Sequence, residues 1–533
     1  MSITSFEFLR FVLVTLIAFR LFPVKKQWWV LLAASVVFYL SFSIAGIFVM
    51  IGTAFLTYFA ALWVQKYKDG LSAWMKENKK TADKETRKSV KASYQKKQKL
   101  IVAGTVAVTI GILFMCKYYK VLAIDFNNLF HTQLWTAENI LLPLGISYYS
   151  LQLIGYLVDV NRDIIPAERN PLKVVLYGGF FLSIMQGPFN RYNELMPQLC
   201  ADERKKLTYI DFKLAVLKIV GGYIKKLCIA DQVGIIANEV FTNYTKYEGL
   251  GIVFGVVCFA IQLYTDFSGY MDIIIGIGQL FGIDMPENFK QPFFARSISE
   301  FWQKWHITLG LWLKDYVFYP LLKSKAFKNL GKWLSGKVNK EAARRIPSYL
   351  GMLILWTLIG TWHGAGFHYI FSVGLLQFLY IFLGELCDPL FVRIKKLLHI
   401  NDKKLYWHIF QSLRTTALMM FAWVFFNAKS FVDALNMLIR MVAFPSLKSL
   451  SVLFDSDVIN GNKIRVLIFV ILSGIVVFVV DLLHENGKSV RTIIGRRKYP
   501  IRLAFYLVLV FTLIIFGAYG SQYVASEFIY FDF

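Results

Sequence analysis

Residues 250–283 read "LGIVFGVVCFAIQLYTDFSGYMDIIIGIGQLFGI", and only Asp266 and Asp272 in that run are charged. A helix rises about 1.5 Å per residue, and about 20 apolar residues cross the hydrocarbon core of a bilayer. The run is therefore long enough to span a membrane. The same texture returns at 5–22, 28–43, 45–65, 100–123, 138–158, 211–237, 347–363, 367–386, 408–427, 464–483 and 502–519. Weaker apolar stretches at 172–188, 305–322 and 434–454 are short or interrupted. They suit re-entrant or interfacial placement, which needs protein or water over the freed backbone. Of the 533 residues 17% are charged, against about 25% in a usual soluble domain. The fold class expected is an all-α polytopic membrane protein, one integral domain over 1–533. Its N-terminal helices occupy 1–137, its core 138–427 and its C-terminal helices 428–533.

The net charge of +25 lies in loops between apolar spans. That is the bias of cytoplasmic loops and not the footprint of a nucleic-acid-binding protein. The insert "KYKDGLSAWMKENKKTADKETRKSVKASYQKKQK" (66–99) is expected inside, as an amphipathic surface helix or a solvated loop, with the basic loops 323–345, 393–404 and 487–498. The cation-poor loops 124–139 and 238–249 are expected outside, which leaves both termini extracytoplasmic. The first residues lack a basic n-region and a small-residue cleavage site, so they are expected to remain as the first helix. The five cysteines are scattered without a CxxC, suggesting neither a disulfide framework nor a zinc site.

Ionisable residues inside hydrocarbon are costly and mark function by default. Three clusters qualify. Asp266 and Asp272 lie in the second half of the 250–283 span. "EFWQKWHITLGLWLKDYVFYPL" (300–321) repeats Trp302, Trp305, Leu309 and Trp312 at helical spacing, with His306 and Asp315 among them. Either this is an interfacial helix with His306 one more residue at headgroup depth, or it dips inward and carries His306 to a cavity. "LIGTWHGAGFHYI" (358–370) sets Trp362 and His363 among Gly360, Gly364 and Gly366. Those glycines either pack helices closely or let the backbone bend and a ligand approach. His368, five residues beyond His363, points away on a continuous helix and reads as structural. No metal site is indicated: HExxH is absent. Histidine titrates near neutrality and is the commonest general base, so any chemistry belongs to His363 and His306.

The stretches 288–321 and 360–377 together resemble the membrane-bound O-acyltransferase family. Within it they are most similar to the bacterial branch that includes alginate O-acetyltransferases. "PLGISYYSLQLIGYLVDVNR" (143–162), "QGPFNRYNELMPQL" (186–199), "YTDFSGYMDIIIGIGQLFGIDMPENF" (264–289) and "FIYFDF" (528–533) agree in order. The family pattern is loosened at "YSLQLIGY", where relatives commonly have a Phe-Gln-Ala version, and at "IMQGPFNRY", where "VAGPIVRY" is more frequent. Both departures bear on donor and acceptor rather than on the histidines.

The resemblance implies a ring of tilted helices around a thin central region crossed by a tunnel. It implies His363 as the catalytic histidine and His306 as the second active-site position. Trp302, Trp305, Trp362, Gly364, Asp266 and Asp315 are expected to line or support the tunnel. It further implies a bacterial cytoplasmic-membrane enzyme with no bound cofactor. Acetyl-CoA would be the cytoplasmic donor, an extracytoplasmic polysaccharide the acceptor and an SGNH-type acyltransferase the partner. The alternatives are D-alanyl transfer from an acylated carrier protein to lipoteichoic acid, and a non-enzymatic polysaccharide or lipid transporter. A transporter would be expected to show paired broken helices in related halves, which the sequence does not display.

Overall fold

The computed structural model describes residues 1–130, 132, 142–204, 206–443, 448–454 and 463–518. The "FIYFDF" ending and most of 131–141 lie outside the described residues, as does the placement of the C-terminus. The regular structure of the described residues is helical, apart from one isolated antiparallel bridge between Phe289 and Trp305. Among the described residues, each expected span coincides with helix over most of its length. Seven are long and apolar enough to cross a membrane by themselves: Ile44–Glu77, Lys84–Val121, Gly249–Leu280, Phe367–Leu386, Leu405–Asn427, Arg465–Glu485 and Tyr499–Phe516. None of the Tyr499–Phe516 window is buried by protein. A row of bare Leu, Val, Ile and Phe side chains on that scale is stable only where lipid covers it.

Three spans are shorter than expected. Phe6–Leu21 and Gln27–Leu40 have 16 and 14 residues, separated by Pro23. In the described part of the 138–158 span, from residue 142 on, helix begins at Ile146. Gly145 precedes it at φ 64°, and a Cβ there would stand 1.8 Å from the Ile184 carbonyl oxygen, so only glycine fits that turn.

The basic insert also departs from expectation. It is neither a separate surface helix nor a loop, because Ile44–Glu77 and Lys84–Phe130 run on through it and turn at 78–83. The two arms touch through Tyr67 and Tyr94, with ring centroids 6.2 Å apart. The Lys97 ammonium sits 5.5 Å over the Tyr67 ring. The helical periodicity of both spans continues into polar sequence, and tyrosine packing holds the arms side by side.

The chain divides into two compact units. The first comprises Met1–Phe212 with Ile277–Pro286. Its core includes Phe11, Phe38 and Phe181, whose ring centroids lie 5.5 to 6.2 Å apart. The second comprises Lys213–Gly276 and Glu287–Phe533 and contains every candidate site residue. There Tyr209–Tyr223 continues through a π-helical stretch, Ile224–Ala230, into Asp231–Thr242. It packs against Gly249–Leu280 at a glycine crossing: a Cβ on Gly222 would lie 2.6 Å from the Gly269 carbonyl oxygen. Small residues allow such backbone approach between membrane helices.

Candidate functional site

His363 is the last residue of the helix Lys340–His363, whose start is capped by Asn339 accepting from the Ala342 amide at 2.8 Å. The chain turns at Gly364 and returns through Phe367–Ile370 and a π-helical stretch, Phe371–Leu375. The returning backbone lies directly on the helix it left. A Cβ on Gly360 would meet Ile370 Cα at 2.7 Å, and one on Gly374 would meet the Trp356 carbonyl at 2.9 Å. Beside Gly364 the same space is filled by the Tyr369 ring, 2.3 Å from a built Cβ. Of the two roles open to these glycines, close packing is the one realised at Gly360 and Gly364. His363 is thereby held with 3% of its surface exposed. Its ring stands edge-on to Trp362 at 4.9 Å and to Phe426 at 5.7 Å.

His306 arrives differently. The helical spacing of Trp302, Trp305, Leu309 and Trp312 predicts one continuous helix, but the chain breaks in its middle. Ile298–Lys304 ends, Trp305 is extended, and Ile307–Leu313 starts afresh. His306 sits at the break with φ 47° and ψ 48°, the left-handed region that costs a non-glycine residue about 1–2 kcal/mol. The segment 288–290, bridged to Trp305 through Phe289, over-determines this conformation. The Lys290 amide donates to the Lys304 carbonyl at 2.9 Å, and the Ile307 amide donates to the Asn288 carbonyl at 3.1 Å. The break swings the His306 ring inward, 2% exposed and edge-on to Phe267 at 4.9 Å.

The two histidines meet across one aromatic ring. Trp362 stands 6.0 Å from the His306 ring and 4.9 Å from that of His363, both centroid to centroid. Two buried imidazoles flanking an indole among Phe267 and Phe426 form a polar pair in an apolar setting. Such a setting excludes water and strengthens every electrostatic interaction inside it.

The other expected residues divide. Trp302 donates from Nε1 to the Gln377 amide oxygen at 3.1 Å and packs on Trp356. Trp305 packs among Phe301, Phe289 and Trp423 in the buried core. Asp315 lies in the π-helical stretch Lys314–Phe318, half-buried. His368 packs on Tyr369 at 4.1 Å. Asp266 is a buried ion-pair partner: its carboxylate accepts from Lys226 Nζ at 2.6 Å, and Lys226 also reaches Asp231 at 2.9 Å. Asp272 pairs with Lys225 at 2.7 Å and with Lys218 at 3.5 Å. No grouping of three His, Cys, Asp or Glu side chains suited to a metal ion occurs among the described residues.

Lys226, Asn288 and Gln377 are the residues that reading the sequence passed over. For Lys226 a signal existed, since "GGYIKKLCIA" puts two lysines in mid-span, where a charge demands a partner. Asn288 and Gln377 carry no such mark, because an amide in an apolar stretch resembles any loop or helix residue.

The pattern expected for the membrane-bound O-acyltransferase (MBOAT) family recurs in comparisons with known proteins. The MBOAT family model matches residues 163–431, just over half of the chain. A probable alginate O-acetylase of Pseudomonas syringae is 31% identical over 306 residues, 57% of this chain and 53% of its own length. A peptidoglycan O-acetyltransferase of Helicobacter pylori is 29% identical over 446 residues, 79% of this chain and 74% of its own. A teichoic acid D-alanyltransferase of Bacillus subtilis is 30% identical over 276 residues, 51% of this chain and 64% of its own. The chain thus spans about half the length of the Pseudomonas relative. The model match covers His306, Trp362 and His363 together, and the chain belongs to the membrane-bound O-acyltransferase family.

Proposed function

We propose that this chain transfers an acetyl group from cytoplasmic acetyl-CoA, within the membrane, toward an extracytoplasmic polysaccharide. The observation that carries the reading is the pair of buried histidines that both pack against Trp362. His363 accepts the proton of an acceptor hydroxyl, whose oxygen attacks the thioester carbonyl. When the tetrahedral intermediate collapses, the carbon–sulfur bond breaks and the imidazolium returns its proton to the departing thiolate. The oxyanion is stabilised by a donor on the His306 side, a ring N–H of His306 or Trp362. One such donor is worth about 10²–10³ in rate. Burial protects the thioester from hydrolysis before the acceptor arrives.

The protein lies in the bacterial cytoplasmic membrane with both termini outside. Its basic inner loops draw the donor's phosphates through long-range charge, and an SGNH-type acyltransferase passes the group onward. No bound cofactor takes part.

D-alanyl transfer from a carrier protein is the second reading, because a teichoic acid D-alanyltransferase matches this chain. Acetyl transfer is favoured by the longer match to the peptidoglycan O-acetyltransferase, 79% of the chain against 51%. Purified protein offered labelled acetyl-CoA or a D-alanyl-carrier protein decides between them. Acetyl-CoA-dependent release of CoA supports the proposal. Turnover of the carrier protein alone contradicts it, and turnover of neither with acceptor present favours a transporter.

A further inference from the structure

His306 occupies the N-cap position of Ile307–Leu313, yet its side chain makes no capping hydrogen bond. A helix start leaves its first amide groups without partners, and the N-cap side chain ordinarily accepts from them. Here another segment supplies that service. The Asn288 carbonyl oxygen accepts from the Ile307 amide at 3.1 Å. Its side-chain Oδ1 accepts from the Thr308 amide at 2.9 Å and from the Thr308 hydroxyl at 2.7 Å. Its Nδ2 donates to the Met271 sulfur at 3.4 Å, fixing the amide plane against Gly249–Leu280. Asn288 is 1% exposed and Met271 2%, so neither group exchanges these partners for water.

We infer that Asn288 is a positioning residue for His306, capping the Ile307–Leu313 helix from a separate segment so that the imidazole is turned away from capping and held toward Trp362. A histidine capping its own helix would turn its ring onto the amides of Thr308 or Leu309. With Asn288 in that place, the ring faces Phe267 and Trp362 instead. The left-handed backbone at His306 then persists because both flanks are tied to the segment 288–290. This inference rests on the reading of His306 as part of the active centre.

The test combines kinetics with a signal from the imidazole itself. Full-length protein is labelled at its seven histidines, and the His306 ring resonance is identified by its loss in His306→Ala. In Asn288→Leu that resonance shifts and kcat falls about 10²-fold, the scale of an ångström's misplacement, while KM for acetyl-CoA stays within about twofold. Asn288→Asp keeps the acceptor and restores the resonance and most of the rate, because Asp and Asn cap equally well. Thr308→Ser resembles wild type, and Thr308→Val falls between. In a His306→Ala background, Asn288→Leu adds no further loss.

An unmoved His306 resonance in Asn288→Leu overturns the inference, as does an equal loss of rate in both backgrounds. If Asn288→Leu does not fold, Thr308→Val against Thr308→Ser carries the same comparison. Full activity in His306→Ala overturns the active-centre reading itself. That failure is distinct, because the resonance still reports whether Asn288 sets the ring.

Discussion

Two polar regions lie buried in the same unit, and they are built on opposite rules. Around Lys226 charge is answered by charge: one ammonium lies within 3 Å of two carboxylates, Asp231 and Asp266, all 5% exposed or less. Around His306 and His363 the neighbours are rings, Phe267, Trp362 and Phe426. A charged group in hydrocarbon must be neutralised where it stands, so the Lys226 cluster is committed to structure. Histidine can be buried neutral and still accept a proton. The second region therefore keeps a group available for chemistry where the first cannot.

The comparison breaks first at its functional side. His363→Ala should abolish transfer, a loss of at least about 10²–10⁴-fold for a general base, with normal membrane insertion and an unchanged melting temperature. Transfer at a tenth of the wild-type rate or better would put the base elsewhere. Lys226→Met should do the reverse, lowering stability by about 3–5 kcal/mol because two carboxylates lose their cation. Adding Asp231→Asn and Asp266→Asn should recover much of that loss in a thermal melt. An equally unstable triple variant would show that Lys226 acts through packing and not charge.

Two smaller effects sharpen the boundary between the regions. Gly360→Val should cost about 1–3 kcal/mol by overpacking, since a Cβ there already meets Ile370 Cα. It should also lower kcat, because the crossing it forces apart holds His363. A stability loss with unchanged kcat would separate that crossing from the active centre. Trp302→Phe removes the hydrogen bond to Gln377 and should lower stability by about 1 kcal/mol with little change in rate. A large fall in kcat would return Trp302 to the active centre.

Reading the sequence recovers the membrane class and the positions of the spans, because 20-residue apolar runs are a strong local signal. The histidines stand out for the same reason, as polar residues where polarity is expensive. What the sequence hides is pairing across distance. Asp266 is conspicuous, but its partner Lys226 is 40 residues away, so their pairing leaves no local mark in the sequence. The tryptophan repeat misleads in another way. Its spacing is helical on both sides of His306, and only the tie between residues 288–290 and residues 304–308 reveals that the helix is cut there. Trp305 consequently turns into the core, and Asn288, unmarked in the sequence, becomes the residue that holds the break.

The central claim is that His363 is the base of an acetyl-CoA-dependent transfer inside the membrane. It is met most directly in proteoliposomes given labelled acetyl-CoA at the cytoplasmic face, wild type beside His363→Ala. Label transfer and CoA release in the wild type alone is the result this account predicts. Equal release by both proteins, with the histidine gone, would contradict it.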